Sequence, residues 1–154
     1  SIRYSHEGRD YGGALETAGG IATVQDWLCA DGREAFWVVS GDIWAPDFRF
    51  DQARVDDFLA SGQDARLWVV PNPPYHPRGD FDLAGERVTY ANFALMRPTL
   101  CAGLPAGRRA ALGPLLISGV AAGRIGLEAG VGRWENVGTP AQLAALQGQP
   151  HPGA

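Results

Sequence analysis

Ala35-Phe36-Trp37-Val38-Val39-Ser40-Gly41-Asp42 is a continuous apolar run that ends in a small polar turn. A run this short, bounded by turn signals, predicts a buried strand of a sheet covered on both faces. Leu67-Trp68-Val69-Val70 repeats the pattern ahead of a Pro-rich loop at 71–77. Between the two runs, residues 51–59 have helical spacing and are closed by Ser61-Gly62. Strand, helix, strand predicts an α/β layer in which residues 36–39 and 67–70 are neighbouring central strands.

Downstream, Phe81-Asp82-Leu83 and residues 87–90 flank Ala84-Gly85-Glu86, a hairpin signal, and 93–96 continue the second arm. The sheet is therefore expected to be mixed. Residues 110–122 form the longest helix candidate, opened late by Gly113-Pro114, and 125–128 form a short strand. Thr139 caps a helix opened by Pro140 and carrying Leu143 and Leu146, and from Gly148 onward a disordered tail is expected. Upstream, Thr17 is placed to cap a helix whose apolar positions are Ile21, Val24, Trp27 and Leu28. Ile2-Arg3-Tyr4 alternates like a strand, but it starts at the first residue, as if cut from a longer chain.

Composition narrows the function classes. The chain has 154 residues, 45% apolar and 19% charged, with no long uninterrupted apolar run, which excludes intrinsic disorder and a membrane-spanning helix. Seventeen acidic against 13 basic residues leave a net charge of -4, with no basic cluster beyond Arg108-Arg109, so no nucleic-acid partner is expected. Every basic residue is Arg, which removes Schiff-base chemistry and a phosphate-loop lysine. Cys29 and Cys101 lack any metal-ligand spacing and there is no signal peptide, so free thiols in a cytoplasmic protein are expected.

Ser40-Gly41-Asp42 follows a strand directly, and ligands of open α/β sheets bind outside the carboxyl ends of strands. Asp42 is placed to hold a cation or to open a turn. A second oxygen ligand could come from Asn136 in Trp134-Glu135-Asn136-Val137-Gly138-Thr139; one or two protein oxygens plus substrate phosphates suit magnesium. Glu16-Thr17-Ala18-Gly19-Gly20 lies at a loop-to-helix junction whose unpaired N–H groups could read a nucleobase or be simple capping. The stiff loop at 72–81 reads as a pocket wall, with His76 either near a ligand or merely solvated. Trp37 and Trp68 belong to the core, whereas Trp44 faces a pocket.

Read together, Leu15-Glu16-Thr17-Ala18-Gly19-Gly20-Ile21, Val39-Ser40-Gly41-Asp42, Asn72-Pro73-Pro74 with Gly79-Asp80-Phe81, Thr89-Tyr90-Ala91-Asn92 and residues 134–140 resemble the sugar-phosphate nucleotidyltransferases. Within that family they are most similar to the N-acetylmuramic acid 1-phosphate uridylyltransferases, also labelled mannose-1-phosphate guanylyltransferase-like. The resemblance covers nearly all of residues 1–147. It implies a Rossmann-like, glycosyltransferase-A-like α/β fold, a mixed sheet with helices on both faces, and a single domain of which this chain is the C-terminal portion. It further implies Mg2+-dependent transfer of UMP from a nucleoside triphosphate to N-acetylmuramic acid 1-phosphate in cell-wall recycling, with release of pyrophosphate. Asp42 would be the catalytic metal ligand and Asn136 the second. Glu16, Thr17 and Gly19 would read the base, and Gly41, Gly79, Asp80 and Asn92 would hold substrate.

The family's opening strand and Gly-rich loop, with its Gly-x-Gly-x-Arg and Pro-Lys signature, appear nowhere in the chain, and Ala94 stands where a Gly is usual. A portion inactive by itself is therefore implied. Alternatives are a non-catalytic sugar-nucleotide-binding subunit and a mannose-1-phosphate guanylyltransferase. A glycosyltransferase of the related fold is disfavoured because Asp42 and Asp47 do not form an Asp-x-Asp.

Overall fold

A computed structural model describes residues 2–148; Ser1 and 149–154, which include most of the expected tail, lie outside the described residues. The elements run α1 (Glu7–Tyr11), α2 (Glu16–Leu28), β1 (Phe36–Val39), β2 (Ile43–Trp44), α3 (Gln52–Ser61), β3 (Ala65–Pro71), β4 (Phe81–Leu83) and β5 (Glu86–Met96). After these come α4 (Gly113–Ala121), β6 (Ile125–Glu128), β7 (Glu135–Asn136) and α5 (Pro140–Gln147). The architecture is α/β with a mixed sheet. Its strands lie in the order β1-β5-β3-β6, with β4 pairing β5 off that path, while β2 and β7 form a separate ribbon. No described helix is long and apolar enough to cross a membrane.

Local sequence explains most of this. In the β4–β5 hairpin, Leu83 pairs with Glu86, so Ala84 and Gly85 make a two-residue turn. Both have positive φ, 54° and 87°, which matches the twist of the flanking strands. Thr139 caps α5 in a reciprocal capping box with Gln142, and Pro140 takes the first helical position as expected.

Three expectations fail. Strands β1 and β3 are not neighbours, because the 11-residue β5 lies between them and β1 ends the strand order. For that reason β1 is half-buried instead of covered on both faces, with Val39 50% exposed. No strand forms at 2–4; among the described residues no strand pairs with this segment, and Ile2 and Tyr4 are exposed. Thr17 is not a cap: α2 begins at Glu16, and no side chain caps it. Backbone bonds secure that helix start, from Ala110 N to Leu15 O (2.9 Å) and from Gly19 N to Ala110 O (3.1 Å).

The described residues fall into two compact units. The first comprises residues 2–37, Gln52–Arg66 and Leu95–Gly126. It buries Ala18, Phe58, Ala65, Leu95 and Met96 completely. There the Arg97 guanidinium donates to the carbonyls of Gln63 and Leu59 and lies 5.6 Å over the Phe58 ring. The second comprises Val38–Asp51, Leu67–Ala94 and residues 127–148. Its centre is aromatic: Phe48 meets Phe93 at 4.4 Å, Phe50 at 4.9 Å and Trp68 at 5.2 Å between ring centroids. Trp68 is fully buried, as its place in an apolar run requires; Trp37 is half-buried.

Candidate functional site

Antiparallel pairing of β2 and β7 places Ile43 opposite Asn136 and Trp44 opposite Glu135. A hydrogen bond from Val137 N to Asp42 O (2.8 Å) carries the pairing one step further, so Asp42 and Asn136 meet at one end of the ribbon. Gly138 makes their approach possible. A Cβ at that position would stand 2.9 Å from Asp42 Oδ2 and 3.0 Å from Asn136 Oδ1, so both oxygens point into the space that its hydrogen leaves open. Gly138 N also donates to Asn136 Oδ1 (2.9 Å), which fixes the amide while leaving the oxygen a second lone pair.

A carboxylate and an amide oxygen converging on one cradle are the donors that a hard divalent cation takes. Among the described residues no group of three or more His, Cys, Asp and Glu side chains could hold a metal ion. Ser40 N donates to Asn92 O (2.9 Å), which brings Asn92 to the same loop as Gly41 and Asp42. Asn92 has φ 61°, a left-handed conformation inside β5 that asparagine tolerates better than most residues. Gly41 itself is exposed in open space.

The other end of the ribbon carries two residues that the sequence did not single out as a pair. Asp47 accepts from Arg133 Nε (2.8 Å), Nη2 (2.7 Å) and the backbone N (3.1 Å). The guanidinium also lies 5.7 Å over the Trp44 ring. Hydrogen bonds from Arg133 hold the Asp47 carboxyl down at about 2, and the same bonds raise the guanidinium. Eighty-six residues separate the partners, and no local pattern connects them. Trp44, expected to face a pocket, is instead half-buried beneath Arg133.

The loop at 72–80 is stapled to β5. Thr89 Oγ1 donates to Asn72 Oδ1 (2.8 Å) and Asn72 Nδ2 donates to Pro77 O (3.0 Å). Tyr90 N donates to Asp80 Oδ2 (2.8 Å), and His76 Nε2 lies 3.0 Å from Asp80 Oδ1. Arg87 donates to the carbonyls of Arg78 and Gly79. Gly79 has φ 55°, and a Cβ there would overlap the Asn72 amide and come 2.7 Å from Val88 O. Its N–H donates to His76 O (3.2 Å), so a ligand would have to compete for it. Burial raises the Tyr90 hydroxyl above its usual range.

Glu16, Thr17 and Gly19 belong to the first unit. Glu16 is half-buried with φ 58°, and Arg109 Nε and Nη2 both reach its Oε1 at 2.6 Å. Gly19 is buried against the backbone of Arg108, too closely to admit any side chain. Thr17 is exposed.

No family model matches the chain. It is 35% identical over 159 aligned positions to the N-acetylmuramate alpha-1-phosphate uridylyltransferase of Neisseria meningitidis serogroup B, covering 96% of this chain and 66% of that protein. Similar solved structures include a Bacillus anthracis protein assigned as a glucose-1-phosphate thymidylyltransferase and crystallised with sucrose, at TM-score 0.63 and 15% identity over 86% of this chain and 59% of that one. HddC from Yersinia pseudotuberculosis matches at TM-score 0.58 and 12% identity, over 86% and 61%, and its complex with GMP-PN at 0.59. The chain thus spans just under two thirds of the length of the relative and about three fifths of the length of the structures.

Proposed function

This chain belongs to the sugar-phosphate nucleotidyltransferases, and from that premise we propose that it contributes to transfer of a nucleoside monophosphate from a nucleoside triphosphate to a sugar 1-phosphate. The uridylyltransferase relative supports UMP as the group and N-acetylmuramic acid 1-phosphate as the acceptor. An acceptor phosphate oxygen attacks the α-phosphorus, the bond to the bridging oxygen breaks, and pyrophosphate leaves. The work sits in the cytoplasm, where nucleoside triphosphates are available, and belongs to recovery of cell-wall sugar.

The observation that carries this reading is the convergence of Asp42 Oδ2 and Asn136 Oδ1 on the cradle at Gly138. The donor set fits Mg2+, which binds through one or two protein oxygens and completes its shell with phosphate oxygens and water. When bound, such an ion neutralises the charge that grows on the phosphates. Asp42 supplies the negative charge that retains it, and Asn136 directs a neutral oxygen at the same point. Glu16 and Thr17 hold the base, while Gly19, buried against Arg108 with its N–H donated to Ala110 O and its carbonyl accepting from Thr23 Oγ1, lets that helix start pack closely beneath them. Gly41, Gly79, Asp80 and Asn92 hold the acceptor, and the staples from Thr89, Tyr90 and Arg87 keep that loop stiff. Such transfer relies on positioning, worth up to about 7–11 kcal/mol of barrier, more than on covalent chemistry by side chains.

The test is a titration of the chain with UTP, GTP and UDP-N-acetylmuramic acid in the presence and absence of Mg2+, followed by heat and by amide shifts. Uridine nucleotides are expected to bind with Mg2+, and Asp42→Ala to abolish the Mg2+-dependent part while leaving the amide spectrum folded. Preference for GTP would overturn the uridylyl assignment. Binding that Asp42→Ala leaves unchanged would overturn the metal-ligand role.

A further inference from the structure

A ribbon of two-residue strands has too few cross-strand pairs to hold its own register. β2 and β7 exchange only the pairs Ile43↔Asn136 and Trp44↔Glu135, yet the ribbon has to present Asp42 and Asn136 at one fixed spacing. At the ligand end it is closed by the Val137 N to Asp42 O bond. Its opposite end is closed by Asp47 and Arg133: a two-pronged guanidinium–carboxylate contact, a third bond from the Arg133 backbone N to the same carboxylate, and the Trp44 ring beneath the guanidinium. Gly132, at φ 80°, makes the turn that aims the Arg133 N–H at Asp47, and a side chain there would meet the Asp47 Cβ at 2.9 Å.

We propose that Asp47 and Arg133 are positioning residues, a clamp that keeps the β2–β7 ribbon in register and thereby holds Asp42 Oδ2 and Asn136 Oδ1 at the spacing a divalent cation requires. The inference rests on the reading of Asp42 and Asn136 as cation ligands. Both clamp side chains are nearly half exposed, at 48% and 43%, and exposed ion pairs add little to global stability. Their effect is therefore local, felt within the few residues that separate the clamp from the ligand pair. The planar fork of arginine matters as much as its charge, because only a fork engages both carboxylate oxygens.

Two readouts on the chain, wild type and Asp42→Ala alongside Asp47→Asn, Arg133→Gln and Arg133→Lys, test this. Mn2+ affinity is followed by electron paramagnetic resonance, and exchange of the Val137 amide by NMR. Asp47→Asn and Arg133→Gln are expected to weaken Mn2+ binding at least fivefold and to speed Val137 exchange by a similar factor, with the melting temperature nearly unchanged. Arg133→Lys should fall between them and wild type. Unchanged Val137 exchange in Asp47→Asn would overturn the clamp. Faster exchange with unchanged Mn2+ affinity would overturn its positioning role. No Mn2+ binding by wild type, or binding indifferent to Asp42→Ala, would overturn the cation reading itself and the positioning role with it, while Val137 exchange still reports whether the ribbon is clamped.

Discussion

Replacing Gly138 by alanine puts a methyl group into the space where Asp42 and Asn136 converge. The new Cβ would stand 2.9 Å from Asp42 Oδ2 and 3.0 Å from Asn136 Oδ1, tighter than an ordinary contact on both sides at once. Each oxygen must retreat by about half an ångström, and because both side chains are only half-buried the retreat costs about 1 kcal/mol of stability or less. A small cation tolerates the change far less well, since it needs its oxygens at about 2.0–2.1 Å in near-octahedral geometry. The methyl group also occupies the cradle itself. Mn2+ affinity is therefore expected to fall at least tenfold, equivalent to about 1.4 kcal/mol. Paramagnetic resonance of free Mn2+ across a protein titration reads this directly, and Gly103→Ala, where nothing lies within 4 Å of the added Cβ, is the control. A folded Gly138→Ala protein that binds Mn2+ as tightly as wild type would refute the shared-cradle argument.

Asp47 is expected to titrate at about 2, and Arg133→Gln to return its carboxyl to the ordinary range, read by the carboxyl carbon resonance in a pH series. Because the folded value is the lower one, the contribution of this carboxyl to stability is present above about pH 4 and is lost as pH falls toward 2. Gly79→Ala should cost about 1–3 kcal/mol in urea unfolding, since its left-handed φ and the Asn72 amide both oppose a Cβ; a midpoint equal to wild type would show that the loop is not stapled as described. Phe93→Ala, at the centre of the aromatic cluster, should cost about 3–5 kcal/mol by the same assay, and a loss below about 1 kcal/mol would contradict that packing.

Periodicity located the helices at 52–61, 113–121 and 140–147 and the strands at 65–71, 81–83 and 125–128 well, because each carries its own start or stop signal in adjacent residues. Strand order was not legible in the same way. The apolar run at 36–39 looks like a central strand whether its neighbour is β3 or β5, since apolar content reports burial and says nothing of the partner. Thr17 misled for a related reason: a capping residue is a local preference, and the bonds from Ala110 and Gly19 decide where α2 starts. Within the candidate site, Asp42 could be picked out because it follows a short strand and Asn136 because it ends one, and the ribbon brings them together. Asp47 and Arg133 could not, because a salt bridge spanning 86 residues leaves no spacing to read.

Among the described residues, four that are not glycine have left-handed φ: Glu16, Asp31, Ala84 and Asn92. Glu16 and Ala84 forgo about 1 kcal/mol that glycine in their place would recover, and Asn92 and Asp31, whose side chains tolerate the region, forgo less. At Ala84, a hairpin turn, the exchange should bring stability with nothing lost. At Glu16 and Asn92 the same exchange would also strip a side chain assigned to ligand. Selection of this chain for heat resistance alone would thus be drawn first toward Ala84→Gly and, more weakly, toward Glu16→Gly and Asn92→Gly, the first of these two losing its contact with Arg109. A thermostable library screened without nucleotide would drift away from the residues proposed for recognition, and Ala84→Gly marks how far stability can rise before that begins.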